Sequence, residues 1–242
     1  MTLAAQATDP LASVPAALRW LGAVVFVLAV PLFILIGNVL GVASDVDFIE
    51  RGFVRYRVGE VTGIGAAQLH AIAETFTDYL KNPSASLGMQ IDVGGVRRPL
   101  FNDREIEHMV DVQRLFLMAG RVRLAAGTVL LIVPLVGLAL AQGAFLPRLG
   151  TLLVLGGGLT VAILLLLGAL SLLDFTELWT RFHHVAFTND LWILDPRTDY
   201  LIMLFPEGFW FDSVMRIAML SAAHAVGLGV VGVSLVYWGR GR

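Results

Sequence analysis

The residues with the most chemical reach in this chain are histidines placed beside carboxylates and long apolar runs. His183 and His184 are adjacent near the start of Phe182–Asp212, FHHVAFTNDLWILDPRTDYLIMLFPEGFWFD, a stretch dense in aromatics and carboxylates. His108 lies in a Glu105-x-x-His108-x-x-Asp111 pattern, whose spacing puts three side chains on one helical face within about 120°. Histidine takes and returns protons near neutral pH. Histidines at the mouth of membrane helices therefore suit acid–base chemistry on a lipid. The same Glu-His-Asp edge has the donor types of a metal site, with His183 as a further ligand. Surface helices also produce such a pattern by chance. Glu105 and Asp111 then either orient and charge-stabilise His108 or simply face water.

Other polar residues have structural readings beside functional ones. Arg216 and His224 fall within an apolar run, where ionisable groups are costly and merit a functional hypothesis. Arg216 is near the run's outer end, and Asp212, four residues before it, predicts an ordinary helical ion pair. Its functional reading is contact with substrate carbonyls or lipid headgroups. His224 reads as a hydrogen bond to a neighbouring helix, and Asn38 either as helix glue or as a substrate contact. His70 lies off the apolar face of its helix and is expected to be solvated. Trp179, Trp192, Phe205, Phe209, Trp210 and Phe211 read as an interfacial belt that can also line a mouth for acyl chains. Gly227-x-Gly229-x-x-Gly232 matches a dinucleotide fingerprint by letters, but it sits inside an apolar run with no preceding strand, so close helix packing explains it. Gly37-x-x-x-Gly41 has the same reading. Gly156-Gly157-Gly158 predicts a weakened or bent helix.

These residues need elements to hold them, and composition identifies the kind. The chain has 242 residues, 57% hydrophobic and only 15% charged, with a mean hydropathy of +0.78. Soluble domains carry about 25% charged residues, so the shortage points to an integral membrane protein. A net charge of −2 gives no footprint for nucleic acid. The absence of cysteine excludes disulfides, thiolate metal sites and a cysteine nucleophile.

Four runs have spanning length: 17–42, 122–142, 149–173 and 213–238. The first is longer than the ~7–15 apolar residues of a secretory signal core, which predicts an uncleaved anchor. Arg19, Arg148, Arg240 and Arg242 then lie on one side against Asp9, while the other side is net acidic. By the positive-inside rule both termini, 1–16 and 239–242, are cytoplasmic, and segments 43–120 and 174–212 are extracytoplasmic. The expected fold is mainly α: a four-helix transmembrane bundle with a small extracytoplasmic α+β cap, the site lying where cap meets outer leaflet.

Within segment 43–120, the alternation of Phe53–Val58 predicts a strand. Ala66–Asn82 predicts a helix with Leu69, Ile72, Phe76 and Leu80 on one face. Met89–Asp92 and Val96–Leu100 flank Val93-Gly94-Gly95 as a hairpin. Asn102 or Asp103 caps a helix that carries Glu105, His108, Asp111 and Leu115 towards the second span. In segment 174–212, Phe187–Leu194 and Tyr200–Phe205 predict a second hairpin, turning through Asp195–Asp199.

Two blocks carry a family likeness: LFNDREIEHMVDVQRLF, Leu100–Phe116, and the Phe182–Asp212 run. The Glu105-x-x-His108-Met109-x-Asp111-Val112 core and the run through Asn189-Asp190-x-Trp192, Asp195-Pro196-x-Thr198-Asp199 and Phe205-Pro206-Glu207-x-Phe209 together resemble the bacterial lipoprotein intramolecular transacylase (Lit) family. The resemblance implies an acyltransferase of the bacterial cytoplasmic membrane. Its substrates would be diacylglyceryl-modified lipoproteins, held among membrane lipid, and no cofactor or metal is expected. An acyl chain would pass from the glycerol ester on an N-terminal cysteine to that cysteine's α-amine, giving a lyso-form lipoprotein. The resemblance also implies that His108 and His183 are catalytic, with His184 as the adjacent alternative to His183. Glu105, Asp111, Asn189, Arg216 and Asn38 are candidates for supporting or substrate-binding roles. Two other readings are an outer-leaflet metal-dependent hydrolase built on Glu105, His108, Asp111 and His183, and a non-enzymatic membrane partner protein.

Overall fold

The computed structural model describes Leu11 and residues 14–240. Most of the 1–16 terminus, with Asp9, and Arg242 at the other end lie outside the described residues. The elements run α1 (Ala16–Ala43), α2 (Val46–Arg55), α3 (Val58–Thr62), α4 (Ala66–Lys81), β1 (Gln90–Val93), β2 (Val96–Pro99), α5 (Asp103–Ala141), a 3-10 turn (Gln142–Phe145), α6 (Leu146–Leu173), α7 (Phe175–Ala186), α8 (Tyr200–Leu204) and α9 (Glu207–Arg240). The chain divides into two compact units.

One unit comprises residues up to 35, 122–165 and 220 onwards. Among the described residues, three helical segments are long and apolar enough to cross a membrane: Ala16–Ala43, Asp103–Leu173 and Glu207–Gly239. The second of these is 71 residues long, and the 3-10 turn at Gln142–Phe145 separates its α5 and α6 portions. Phe26, Val30 and Ile34 of α1 form a buried cluster with Leu130 and Val133 of α5, Leu152 and Leu153 of α6, and Leu228 of α9. Helix approach relies on small residues. A side chain at Gly156 would meet Val30, and one at Gly157 would meet the Ala225 carbonyl. Gly232 faces the Gly150 backbone, whereas Gly227, Gly229 and Gly41 have open space. The fingerprint-like glycines thus reduce to one packing position, and packing at Gly41 is not seen. The helix α6 is continuous through Gly156–Gly158, and two of these glycines serve close approach to α1 and α9. Outward faces bear Leu124, Leu131, Leu165, Val226 and Val230. Such contiguous apolar surface suits lipid rather than water.

The other unit comprises residues 36–121 and 166–219. Its core gathers Ile49 and Phe53 of α2, Ile72, Phe76 and Leu80 of α4, Ile91 of β1, Met109 of α5, and Leu201, Leu204, Phe205 and Phe209. The predicted α4 and the first hairpin are present, with Gln90 paired to Pro99 and Val93 to Val96. Gly94 and Gly95 take positive φ in the turn, which favours glycine there.

Four local expectations are corrected. Phe53–Val58 is not a strand: it is the end of α2 followed by a turn into α3. Asp45 caps α2 by accepting from the Phe48 N–H at 2.9 Å, and Ile49 and Phe53, four apart, face the core while Val54 is 80% exposed. The second hairpin is also absent. Residues 187–199 are turns and irregular chain, and Tyr200–Leu204 is helical, burying Leu201 and Leu204 at helical spacing. Arg216 does not pair with Asp212. It reaches Asp45 at 2.6 Å, while Asp212 binds Arg55 at 3.0 Å and the Tyr56 hydroxyl at 2.7 Å. Phe205 and Phe209 belong to the core and not to an aromatic belt.

Candidate active site

The site is organised by the start of α5. Asn102 and Glu105 form a reciprocal cap: the Asn102 side chain accepts from the Glu105 N–H at 3.0 Å, and the Glu105 carboxylate accepts from the Asn102 N–H at 2.7 Å. The other Glu105 oxygen accepts from the Leu201 N–H at 2.6 Å, tying α5 to α8. Asn102 also donates to Asp199 at 3.0 Å, and Asp199 accepts from the Asp195 N–H at 2.8 Å. Glu105 is 1% exposed. Burial pushes its carboxyl above the usual range, against the lowering effect of the backbone donors. Each oxygen accepts a backbone N–H, so Glu105 ties the start of α5 to α8. Among the described residues, no three His, Cys, Asp or Glu side chains group as a metal site.

One turn beyond Glu105, His108 points inward and is 7% exposed. Its ring centroid lies 6.2 Å from that of His183, which is equally buried. His108 precedes the apolar stretch of α5, which begins at Val122. Asp174 starts α7 by accepting from the Glu177 N–H at 2.9 Å. That helix places Trp179 one turn before His183. The His183 Nδ1–H donates to the Trp179 carbonyl at 2.7 Å. A carbonyl only accepts, so the proton is on Nδ1, and in the neutral ring Nε2 holds a lone pair. Aromatic rings enclose the imidazole: Trp179 and Trp192 each at 4.8 Å, Phe182 at 5.2 Å and Phe187 at 5.7 Å.

Burial, assisted by the neighbouring His183 and opposed by Asp111, lowers the His108 pKa to about 4. Burial also lowers His183, opposed by its bond to Trp179 and assisted by His184. Both rings are therefore neutral near pH 7. The His108 Nδ1 and the Trp192 Nε1 are buried without hydrogen-bond partners.

The remaining candidates separate. Asp111 accepts from Asn189 at 2.8 Å and pairs with Arg114 at 3.1 Å. Arg104 donates to the Asp190 carbonyl at 2.6 Å. Together Asp111 and Arg104 clamp the 189–191 turn to α5. His184 is exposed and meets the edge of Trp192 at 5.1 Å. Arg216 lies over the Phe48 ring at 4.7 Å as well as pairing with Asp45, and Asn38 is half-buried on α1. His70 is exposed and bonded to Glu50. Sequence reasoning does not single out Asp199, Arg104 or the Trp179 carbonyl. The Asp195-x-x-x-Asp199 spacing is the one signal that points to the first of these.

A family model described as lipoprotein intramolecular transacylase Lit matches residues 24–210. The chain belongs to the Lit family. The fold is that of the membrane integral lipoprotein intramolecular transacylase Lit from Bacillus cereus, with a TM-score of 0.79 and 18% identity over 94% of this chain and all of that one. A Lit structure from the same organism with one histidine replaced by alanine matches at a TM-score of 0.74 and 16% identity, covering 93% of this chain and 97% of that one. An uncharacterised protein of Aquifex aeolicus is 31% identical over 123 residues, 50% of this chain and 51% of its own length. The chain thus spans about half the length of that relative.

Proposed function

We infer that this Lit-family protein is an intramolecular acyltransferase acting on lipoproteins with a diacylglyceryl-modified N-terminal cysteine. The carrying observation is the neutral, buried His108–His183 pair with His183 held as an Nδ1–H tautomer. The α-amine nitrogen attacks the ester carbonyl carbon and a C–N bond forms. His183 Nε2 takes the amine proton. The ester C–O bond then breaks, and the imidazolium returns that proton to the glycerol oxygen. Atoms balance without water, cofactor or acyl-enzyme. Neutral His108 donates a ring N–H to the carbonyl oxygen as negative charge develops there. Holding amine and ester together as parts of one substrate lowers the barrier by several kcal/mol, up to about 7–11 in favourable cases.

The chain crosses the bacterial cytoplasmic membrane four times in this reading, with both termini inside and the histidines facing outward. The turn between α5 and α6, and the packing of both helices on α1, support separate crossings. Substrate enters from the outer leaflet with its acyl chains among the helices.

The test is expression in a bacterium whose lipoproteins keep a free N-terminus, followed by mass analysis of an N-terminal lipopeptide. An N-acyl, monoacylglyceryl product is expected. Lipopeptide that stays entirely N-unmodified overturns the assignment.

A further inference from the structure

Among the described residues, two buried side-chain atoms have no hydrogen-bond partner: Nδ1 of His108 and Nε1 of Trp192. Both rings flank His183, at 6.2 and 4.8 Å between centroids. Neither the family likeness nor the motif spacing assigns Trp192 a role. An indole N–H only donates, and leaving it buried and unpaired is costly. A ring kept merely for packing has no need of that donor.

The local chain fixes the ring. Asp111 holds Asn189, Arg104 holds the Asp190 carbonyl, and the Asn189 side chain accepts from the Leu191 N–H at 3.1 Å. These bonds lock the turn immediately before Trp192. The ring also makes a T-shaped contact with His184. The indole therefore lies against the base with its single donor unused, an arrangement set before substrate arrives.

We propose that Trp192 is a catalytic residue whose indole N–H, together with His108, binds the ester carbonyl oxygen and stabilises the oxyanion formed when the amine attacks. The proposal rests on the acyl-transfer reading and extends it. An acceptor of this class suits the site: an ester carbonyl is a weak acceptor in the ground state, and its oxygen becomes a strong one in the tetrahedral intermediate. The donor's benefit therefore falls mainly on the transition state. It also gives the exposed His184 a role in supporting the Trp192 edge without acting on the substrate.

The test compares wild type with Trp192→Phe, which keeps an aromatic ring and removes the donor. Both are assayed in detergent or vesicles on a synthetic diacylglyceryl-cysteine lipopeptide. Expected are a fall in kcat of about 100-fold or more, KM within about threefold, and unchanged or higher thermal stability. The raised stability is informative, since a structural role predicts the reverse. If Trp192→Phe fails to fold, a benzothienylalanine at position 192 replaces the N–H by sulfur at nearly constant shape and carries the same expectation. Product from wild type with kcat of the folded variant within twofold overturns the donor role alone. No product from wild type overturns the acyl-transfer reading and this proposal with it.

Discussion

The Nδ1–H of His183 donates to the carbonyl of Trp179, one helical turn earlier, at 2.7 Å. This bond selects the tautomer. It leaves Nε2 as the atom that can accept a proton, in a ring whose surroundings are aromatic. His183→Asn keeps a donor near the Nδ1 position and deletes Nε2. Product formation is expected to fall by about 10²–10⁴-fold, the usual range for a lost general base, with thermal unfolding in detergent little changed. A near-normal rate in a correctly folded Asn variant would remove His183 from the chemistry.

The acid side of the rate profile is expected to belong to the substrate. His108, at about 4, is neutral well below pH 6.5, and burial lowers His183 as well. The free α-amine of the substrate titrates near ~8. The rate constant kcat/KM should rise with pH through about 7–8 as the amine loses its proton. It should not show a separate histidine limb near 6.5. A profile measured with a lipopeptide whose amine pKa is lowered should shift by the same amount. If the limb stays fixed when the substrate amine is changed, a protein group controls it.

Stability carries the opposite information about the same rings. Their folded pKa values are depressed, so the unfolded state binds more protons below about pH 6.5. The stabilisation is complete above that value and is lost as pH falls towards about 4, the folded value of His108. The slope for one such group is up to about 1.4 kcal/mol per pH unit. His108→Phe removes that group and should flatten the decline between pH 6 and 4 in thermal unfolding. An unchanged slope would show that other groups set it.

Much of the architecture is visible in residue patterns, and the failures have local causes. Ile72, Phe76 and Leu80 repeat at helical spacing and mark α4. Val93-Gly94-Gly95 marks the hairpin because those glycines need positive φ. Phe53–Val58 misleads because a six-residue window catches Phe53 at the end of a helix, while the informative pair is Ile49 and Phe53. Tyr200–Phe205 is a short apolar run, and such runs fit a strand or a helix equally well. What decides is Asp199 at its N-terminus and the Glu105 oxygen that accepts from Leu201, a contact between residues 96 positions apart. Arg216 is a similar case. Asp212 has helical spacing to it, but Arg55 and Tyr56 claim that carboxylate. The paired histidines are legible as residue types. Their separation and tautomer depend on α5 and α7 meeting, which no local pattern states.

Glu105 is expected to matter through folding. Glu105→Ala leaves the Asn102 and Leu201 N–H groups without their buried acceptors. At about 1–3 kcal/mol for each unpaired donor, loss of both should strongly destabilise the protein. Asp111→Ala loses the half-exposed bond to Asn189 and should cost less, about 1 kcal/mol. Unfolding midpoints of the two variants provide the comparison. A stable but inactive Glu105→Ala would instead make this carboxylate part of the chemistry.

The glycines of α9 offer a test inside one motif. An added Cβ at Gly232 would lie 2.6 Å from the Gly150 carbonyl oxygen and 2.9 Å from a Val154 methyl. The first neighbour is backbone and cannot rotate away. At Gly229 and Gly227 the same atom would meet nothing within 4 Å. If close helix approach is the reason for Gly232, then Gly232→Ala forces the α6 and α9 backbones apart and costs about 1–3 kcal/mol. Gly229→Ala and Gly227→Ala should be neutral or stabilising, since alanine favours the helix by up to about 1 kcal/mol over glycine. Thermal unfolding of the three variants in one detergent separates the cases. Equal effects at all three positions would mean that the letters of the motif, and not the contact with Gly150, determine its role.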